Sequence, residues 1–220
     1  MDRRPPELKQ RYIVVEGPIG VGKTTLTRAL SKRFAARSIF EIVEENPFLA
    51  SFYQDRNKLA FQTQLFFLLS RFKQQQELFQ QELFQQVTVS DYLFAKDRIF
   101  ASITLDPNEL GLYERIYEQL GPRVMKPDLV IYLQARQDVL LARIKKRGRE
   151  FERKFDPEYL SELSRTYNDF FHRYDETPLL ILNTSDLDFV DNEQDFEELI
   201  RAISQIKHGT QYYQPMSSRP

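Results

Sequence analysis

A glycine-rich run near the N-terminus has the residue types and spacing suited to binding phosphate. The sequence GPIGVGKT, from Gly17 to Thr24, matches G-x-x-x-x-G-K-[ST] at every fixed position. It follows the apolar segment Tyr12–Glu16, typical of a buried strand, and precedes a predicted helix over 22–36. In this context the glycines let backbone N–H groups surround a phosphate at the positive end of the helix. The run therefore predicts a site for the phosphates of a nucleoside triphosphate.

Each residue of this run has an expected role. We expect Lys23 to act in catalysis by reaching the β- and γ-phosphate oxygens, and the Thr24 hydroxyl to be a ligand of Mg²⁺. Further contacts to ATP are expected from Gly17, Pro18, Ile19, Gly20, Val21, Gly22 and Thr25. Hydrolytic switches, motors and kinases all use such a run, so it indicates a nucleoside triphosphate with Mg²⁺ but not the reaction.

A cluster of arginines late in the chain favours phosphoryl transfer over hydrolysis. The segment from Arg143 to Arg153 reads RIKKRGREFER, with Gly148 at the end of its helical part. Arg143 and Arg147 are one helical turn apart, so both are catalytic candidates in a lid over about 143–153 that excludes water. The alternative is a solvated basic helix end that complements its own dipole.

Apolar segments separated by helical patterns predict an α/β fold. They imply a five-stranded parallel sheet flanked by helices on both faces, with ligands at the carboxyl ends of the strands. Together with the glycine-rich run and the Arg-rich lid, this predicts a P-loop kinase fold. The predicted strands are Tyr12–Glu16, Ile39–Glu44, Val87–Asp91, Pro127–Leu133 and Pro178–Asn183, and a long helix is expected over 56–86.

Length and composition indicate one domain without an excess of charge. The chain has 220 residues, of which 31 are Lys or Arg and 32 are Asp or Glu, so this balance predicts no nucleic-acid or membrane partner. No stretch approaches the roughly 18 apolar residues of a membrane span. The absence of cysteine fits a reducing compartment, and we expect a cytoplasmic protein. We expect a flexible N-terminus over 1–10, one domain over 11–208 and a mobile tail over 209–220.

These motifs, taken in order, resemble the deoxynucleoside kinases, a family that includes deoxycytidine, deoxyguanosine and deoxyadenosine kinases and is related to thymidylate kinase. The resemblance runs from Tyr12 to about Phe189. It is carried by GPIGVGKTTL, FYQDRNKLAFQTQLFFLLSR, a DR pair after the third strand, and RIKKRGREFE. It implies phosphorylation of the 5′-hydroxyl of a deoxynucleoside with ATP and Mg²⁺, and a homodimer.

The resemblance also implies residues that bind the deoxynucleoside. Glu45 would be the catalytic carboxylate near the 5′-hydroxyl, although the adjacent Glu44 could hold that place. Tyr53 and Glu152 resemble the partners of the sugar 3′-hydroxyl.

The base is expected to meet three polar residues. Gln64, Arg71 and Asp97 resemble the trio that reads the base edge, because an amide and a charge pair offer matched donors and acceptors. Phe67 is bulky where some pyrimidine-tolerant members carry a small residue. We therefore expect a purine deoxynucleoside to be preferred.

On the donor side the chain departs from its relatives. Asp91 resembles an acidic residue that helps to hold Mg²⁺, but Tyr92 follows it where many members have arginine. Asp188 and Phe189 resemble the loop on which the donor adenine rests. The missing charge could come from one of three arginines, namely Arg98, which is also a candidate substrate-binding residue, Arg143 or Arg147.

Two other functions remain open at this point. A thymidylate-type nucleoside monophosphate kinase would share the glycine-rich run and the lid, but it needs further arginines for the acceptor phosphate. A non-catalytic module would bind ATP without transferring its phosphate. The set Glu45, Tyr53 and Gln64 favours a neutral nucleoside as the acceptor.

Overall fold

A sheet of six parallel strands carries the fold in the computed structural model, which describes residues 10–55, 58–81, 87–152, 156–185, 187, 189 and 192–213. The strand order is β2-β3-β1-β4-β5-β6, and every neighbouring pair is parallel. The predicted fold class is confirmed, with six strands instead of the expected five. The strands are β1 (Tyr12–Glu16), β2 (Arg37–Ile39), β3 (Thr88–Ser90), β4 (Leu129–Gln134), β5 (Leu179–Asn183) and β6 (Thr210–Tyr213).

Helices cover both faces of the sheet because successive strand side chains point to opposite sides. Val15 of β1 packs in one core with Leu30 and Leu199, whereas Val14 packs in the other with Ile99 and Leu163. The helices are α1 (Lys23–Phe34), α2 (Leu49–Gln54), α3 (Ala60–Gln81), α4 (Lys96–Thr104), α5 (Pro107–Leu120), α6 (Gln137–Arg147), α7 (Pro157–His172) and α8 (Glu193–Gln205). Hence α1, α6 and α8 lie on one face of the sheet, and α4 and α7 lie on the other.

The main differences from the prediction concern the second strand and the C-terminal segment. The predicted strand Ile39–Glu44 shares only Ile39 with β2, because the pairing with β3 runs from Arg37 to Ile39. Directly afterwards, the backbone N–H of Glu41 donates to a side-chain oxygen of Asp91, so the chain leaves the sheet early.

The C-terminal segment is the second difference. Residues 210–213, expected in a mobile tail, form β6 by pairing with β5. Pairing satisfies the backbone N–H and C=O groups of the segment whatever its side chains are, so a polar sequence pattern does not reveal the strand. Residues 1–9 and 214–220 of the predicted flexible ends lie outside the described residues, as do residues 56–57 and 82–86 of the predicted long helix.

Candidate active site

A cleft of about 1060 Å³ opens where β1, β2 and β3 end. The glycine-rich loop after β1 forms one wall. Helices α2, α3 and the start of α4 form another, called the acceptor side here because the residues expected to bind the phosphate acceptor lie on it. The lid helix α6 also contributes to the lining. Several elements thus bring side chains from distant parts of the sequence to one site, as expected at the carboxyl ends of parallel strands.

Two glycines allow the phosphate-binding loop to pack closely against its neighbours. Gly17 and Gly20 have φ angles of +149° and +84°, which side-chain-bearing residues rarely adopt. A Cβ atom on Gly17 would collide with the carbonyl oxygen of Leu133 in β4, and one on Gly20 would lie 2.8 Å from that of Leu140 in α6. The loop shape therefore depends on glycine at both positions.

The variant Gly17→Ala is expected to lower the free energy of unfolding by at least about 1–3 kcal/mol, because its methyl group would meet a backbone oxygen that cannot move aside. Chemical denaturation measures this loss. Gly111→Ala is the matched control, since Gly111 lies inside α5 and a methyl group added there would have nothing within 4 Å. It should stabilise the protein by about 0.5–1 kcal/mol. Equal effects of the two substitutions would contradict the packing argument.

Lys23 and Thr24 begin α1 at the loop's end. The Lys23 ammonium donates to the carbonyls of Gly17 at 2.7 Å and Pro18 at 3.1 Å. Burial, followed by the charge of Lys96, lowers the pKa of Lys23 to about 8. The Thr24 hydroxyl donates to Asp91 Oδ2 at 2.6 Å. The loop thus presents a partly buried cation beside a hydroxyl and carboxylate pair.

That hydroxyl and carboxylate fit the chemistry of a magnesium site. Both are hard oxygen donors and both line the cleft. Mg²⁺ needs only one or two protein carboxylates, because water and phosphate oxygens complete its shell. Burial raises the pKa of Asp91, whereas the hydrogen bond from Thr24 opposes that rise. A divalent cation would favour the ionised form in the same way.

Glu16 is a buried residue whose importance the sequence analysis missed. Its carboxylate accepts hydrogen bonds from the N–H groups of Gly17 at 2.8 Å and Leu93 at 2.7 Å, and from the Tyr167 hydroxyl at 3.1 Å. It therefore joins the phosphate-binding loop to the segment after β3 and to α7. The signal in the sequence that could have identified Glu16 is its position directly before the first glycine of the loop.

Glu41 is the carboxylate that the structure brings into the cleft from the end of β2. Its two oxygens accept hydrogen bonds from Arg71 and from Lys96, the latter at 2.7 Å. Burial alone would raise the pKa of Glu41, but the charges of Arg71 and Lys96 outweigh it and hold the pKa well below its usual range. Glu41 is therefore ionised at neutral pH and lies between two cations.

Glu45, the carboxylate expected in this place, is exposed and does not line the cleft. Glu44, the alternative, is also largely exposed and pairs with Arg149 of the lid at 2.7 Å. The physical reason is the early end of β2. The carboxylate that follows the strand is Glu41, and the next residues have already turned towards α2.

The three residues expected at the base lie together on the acceptor side. Gln64 and Arg71 are buried on α3 and both line the cleft, and the Phe67 ring centroid lies 4.9 Å from the Arg71 guanidinium carbon. Asp97 lies behind Arg71, pairs with it and does not line the cleft. Burial raises the pKa of Asp97 to about 7 even though the Arg71 charge lowers it. Asp97 thus orients Arg71 from behind.

The residues expected at the sugar hydroxyl also meet. Tyr53 of α2 and Glu152 of the lid both line the cleft. Burial, with smaller contributions from Tyr159 and Glu152, raises the pKa of Tyr53 well above its usual value. Glu152 is buried and accepts two hydrogen bonds from Arg147, at 3.1 and 2.5 Å. The lid arginine is thus linked to Glu152, the residue expected at the sugar 3′-hydroxyl.

Of the other two predicted arginines, Arg143 lies at the cleft and Arg98 lies away from it. Arg143 lines the cleft, but its guanidinium donates to the Val21 carbonyl at 3.2 Å and to the Thr184 carbonyl at 2.8 Å, so it ties the lid helix to the phosphate-binding loop. Arg98 does not line the cleft. Its side chain is 53% exposed and bonds to Glu114 at 3.0 Å. The structure therefore does not bring Arg98 into the lining of the cleft.

The expected adenine loop is described in part. Phe189 is buried, lines the cleft and packs near Gly22, where a Cβ atom would lie 3.7 Å from the ring. It belongs to the core cluster beside α8 as well as to the cleft wall. Thr25 lines the cleft. Asp188 lies outside the described residues.

A phosphate-binding loop on a parallel sheet, closed by an arginine-rich lid, defines a phosphotransferase with the P-loop kinase fold. The family model "Deoxynucleoside kinase" matches residues 13–208. The chain belongs to the deoxynucleoside kinase family. It is a kinase whose acceptors are deoxynucleosides, and the family implies a nucleoside triphosphate donor.

Individual relatives support this assignment. The chain is 40% identical to a deoxyguanosine kinase of Bacillus subtilis over 89% of this chain and 97% of that protein. It is 32% identical to a deoxyadenosine kinase of Lactobacillus acidophilus, over 89% and 95%. The solved structure of M. mycoides deoxyadenosine kinase with bound dATP has a TM-score of 0.75 and 26% identity, and the match covers 87% of this chain and 98% of that one.

Proposed function

We propose that this kinase transfers the γ-phosphoryl group of ATP to the 5′-hydroxyl of a purine deoxynucleoside, with Glu41 accepting the hydroxyl proton. The observation that carries this proposal is the position of Glu41. It is a partly buried, ionised carboxylate in the same cleft as the phosphate-binding Lys23 and the base-side Gln64. A nucleoside whose base meets α3 would direct its 5′-carbon towards the loop.

The hydrogen bonds of Glu41 leave it able to act. Each carboxylate oxygen offers two acceptor positions, so the bonds from Arg71 and Lys96 leave room for the 5′-hydroxyl. In the loose transition state of phosphoryl transfer, the proton leaves late, and a weakly basic carboxylate suffices to orient the hydroxyl and take it. The 5′-oxygen then bonds to phosphorus as the bond to the ADP oxygen breaks.

The donor side supports ATP with Mg²⁺. Thr24 and Asp91 would hold the metal, which when bound neutralises charge on the phosphate oxygens. Lys23 and the loop N–H groups bind the phosphates directly. Arg147 would approach the phosphoryl group from the lid while remaining near Glu152, so that closure couples the sugar to the phosphates.

A purine is favoured by the chemistry of the base side. Gln64 offers an amide donor and acceptor, and Arg71 offers a fixed cation. A purine edge can satisfy both, whereas the thymine methyl group needs an apolar recess, and an unmatched buried polar group costs about 1–3 kcal/mol. The named relatives that act on deoxyguanosine and deoxyadenosine support the same choice.

The test is a panel of the four deoxynucleosides with ATP and Mg²⁺, measured as kcat/KM. We expect deoxyguanosine or deoxyadenosine to exceed thymidine by roughly tenfold to a hundredfold, which corresponds to one unmatched polar group. Thymidine as the best substrate would overturn the purine assignment. Transfer only to a nucleoside monophosphate would favour the monophosphate kinase, and ATP binding without ADP formation would favour the non-catalytic module.

We also propose that the protein is a homodimer of the cytoplasm. Leu69 on α3 and Leu112 on α5 are 49% and 51% exposed, and these two helices contact each other. Exposed leucines on two helices that contact each other are suited to an interface between two copies. No helix among the described parts of the chain has the length and apolar character needed to span a membrane. A monomer mass in light scattering would reject the dimer.

A further inference from the structure

Lys96 is a buried lysine that the sequence analysis did not consider. It begins α4, is 4% exposed and lines the cleft. Its position depends on the segment after β3. The Leu93 N–H in that segment donates to the Glu16 carboxylate, and the Lys96 N–H donates to the Leu93 carbonyl at 3.0 Å. Because Glu16 also holds the first glycine of the phosphate-binding loop, Lys96 and that loop share one anchor.

In the part of the chain that the structure describes, Lys96 makes fewer hydrogen bonds to carboxylates than the neighbouring cations Arg71 and Arg147 do. Arg71 is held by two carboxylates, Glu41 and Asp97, and Arg147 is held by Glu152. Among the described residues, the hydrogen bond from Lys96 Nζ goes to Glu41. An ammonium group has three N–H donors, so Lys96 retains donors for a ligand.

Lys96 and Lys23 line the same cleft. Two cations on the walls of one cleft favour binding of an anion between them. Lys23 belongs to the donor side, and Lys96 lies beside Glu41 on the acceptor side. The space between the two lysines is therefore suited to the phosphoryl group as it passes from donor to acceptor.

We propose that Lys96 binds the transferred phosphoryl group on the acceptor side. This inference rests on the proposed function. As the bond from the γ-phosphorus to the ADP oxygen breaks and the bond to the 5′-oxygen forms, the Lys96 ammonium donates to the phosphoryl oxygens. The same contact persists in the deoxynucleoside 5′-monophosphate. Lys96 thus distinguishes a product that carries a 5′-phosphate from the nucleoside that lacks one.

The test compares two ligands that differ by this phosphate. Calorimetry measures Kd for deoxyguanosine and for deoxyguanosine 5′-monophosphate in the full chain, or for the deoxyadenosine pair if the panel favours adenine. For Lys96→Met we expect the monophosphate to bind roughly 10- to 100-fold more weakly, because a charged hydrogen bond is lost, and the nucleoside Kd to change less than about threefold. Lys96→Arg should retain most of the difference between the two ligands.

The control is Lys126→Met. Lys126 is also paired with a glutamate, at 3.5 Å, but it is 75% exposed and does not line the cleft, so both Kd values should stay unchanged. Circular dichroism checks folding, and Lys96→Gln carries the same comparison if Lys96→Met does not fold. Equal weakening of both ligands, or of neither, would overturn the phosphate contact. Failure of the wild-type protein to phosphorylate any deoxynucleoside would instead reject the proposed function.

Discussion

Replacing Glu41 by glutamine is expected to lower kcat by roughly 10²- to 10⁴-fold, the range typical of losing a general base. The amide has almost the same size as the carboxylate, but it cannot take the 5′-hydroxyl proton. In the wild-type protein Arg71 and Lys96 each donate to one carboxylate oxygen of Glu41. The NH₂ group of glutamine cannot accept a hydrogen bond, so one of these two cations loses its acceptor in the variant. Steady-state kinetics with the best purine deoxynucleoside measures the loss.

Glu45→Gln is the matched control for this prediction. Glu45 is exposed outside the cleft, so the kcat of the Glu45→Gln variant should stay within about twofold of the wild-type value. Thermal unfolding and the deoxynucleoside Kd show whether Glu41→Gln has merely disturbed the fold. If Glu45→Gln loses activity and a folded Glu41→Gln does not, the assignment of the base to Glu41 is wrong.

Replacing Lys23 by alanine is expected to lower kcat by roughly 10²- to 10³-fold, comparable to the removal of one group that stabilises developing charge. The ammonium is held by the loop carbonyls of Gly17 and Pro18, from where it can reach the phosphates with little reorganisation. Because the charge acts on the transferring group, kcat should fall more than the affinity for the deoxynucleoside.

Lys32→Ala provides the comparison on the same helix. Lys32 is exposed in the last turn of α1, so its removal takes away one charge without touching the cleft. Circular dichroism and thermal unfolding establish that the Lys23 variant is folded. Wild-type turnover by a folded Lys23→Ala protein would remove the basis for phosphoryl transfer at this loop.

Local sequence was sufficient to predict the phosphate-binding loop. Its donors are consecutive backbone N–H groups, and its helix dipole and lysine follow within the same run from Gly17 to Thr24. The apolar strands and the helical patterns between them likewise predict a parallel sheet with ligands at its carboxyl edge. These properties belong to short stretches of chain, so neighbouring residues determine them.

The tertiary structure decided which side chains complete the site. The apolar pattern continues past Ile39 to Val43, so sequence placed the end of β2 near Glu45, but pairing with β3 stops the strand at Ile39 and brings Glu41 into the cleft. The role inferred for Lys96 depends on Glu16, which lies 80 positions earlier and holds the segment that leads into α4. Strand pairing and buried hydrogen bonds join residues that are far apart in the chain, and no local pattern records which partner a residue will meet.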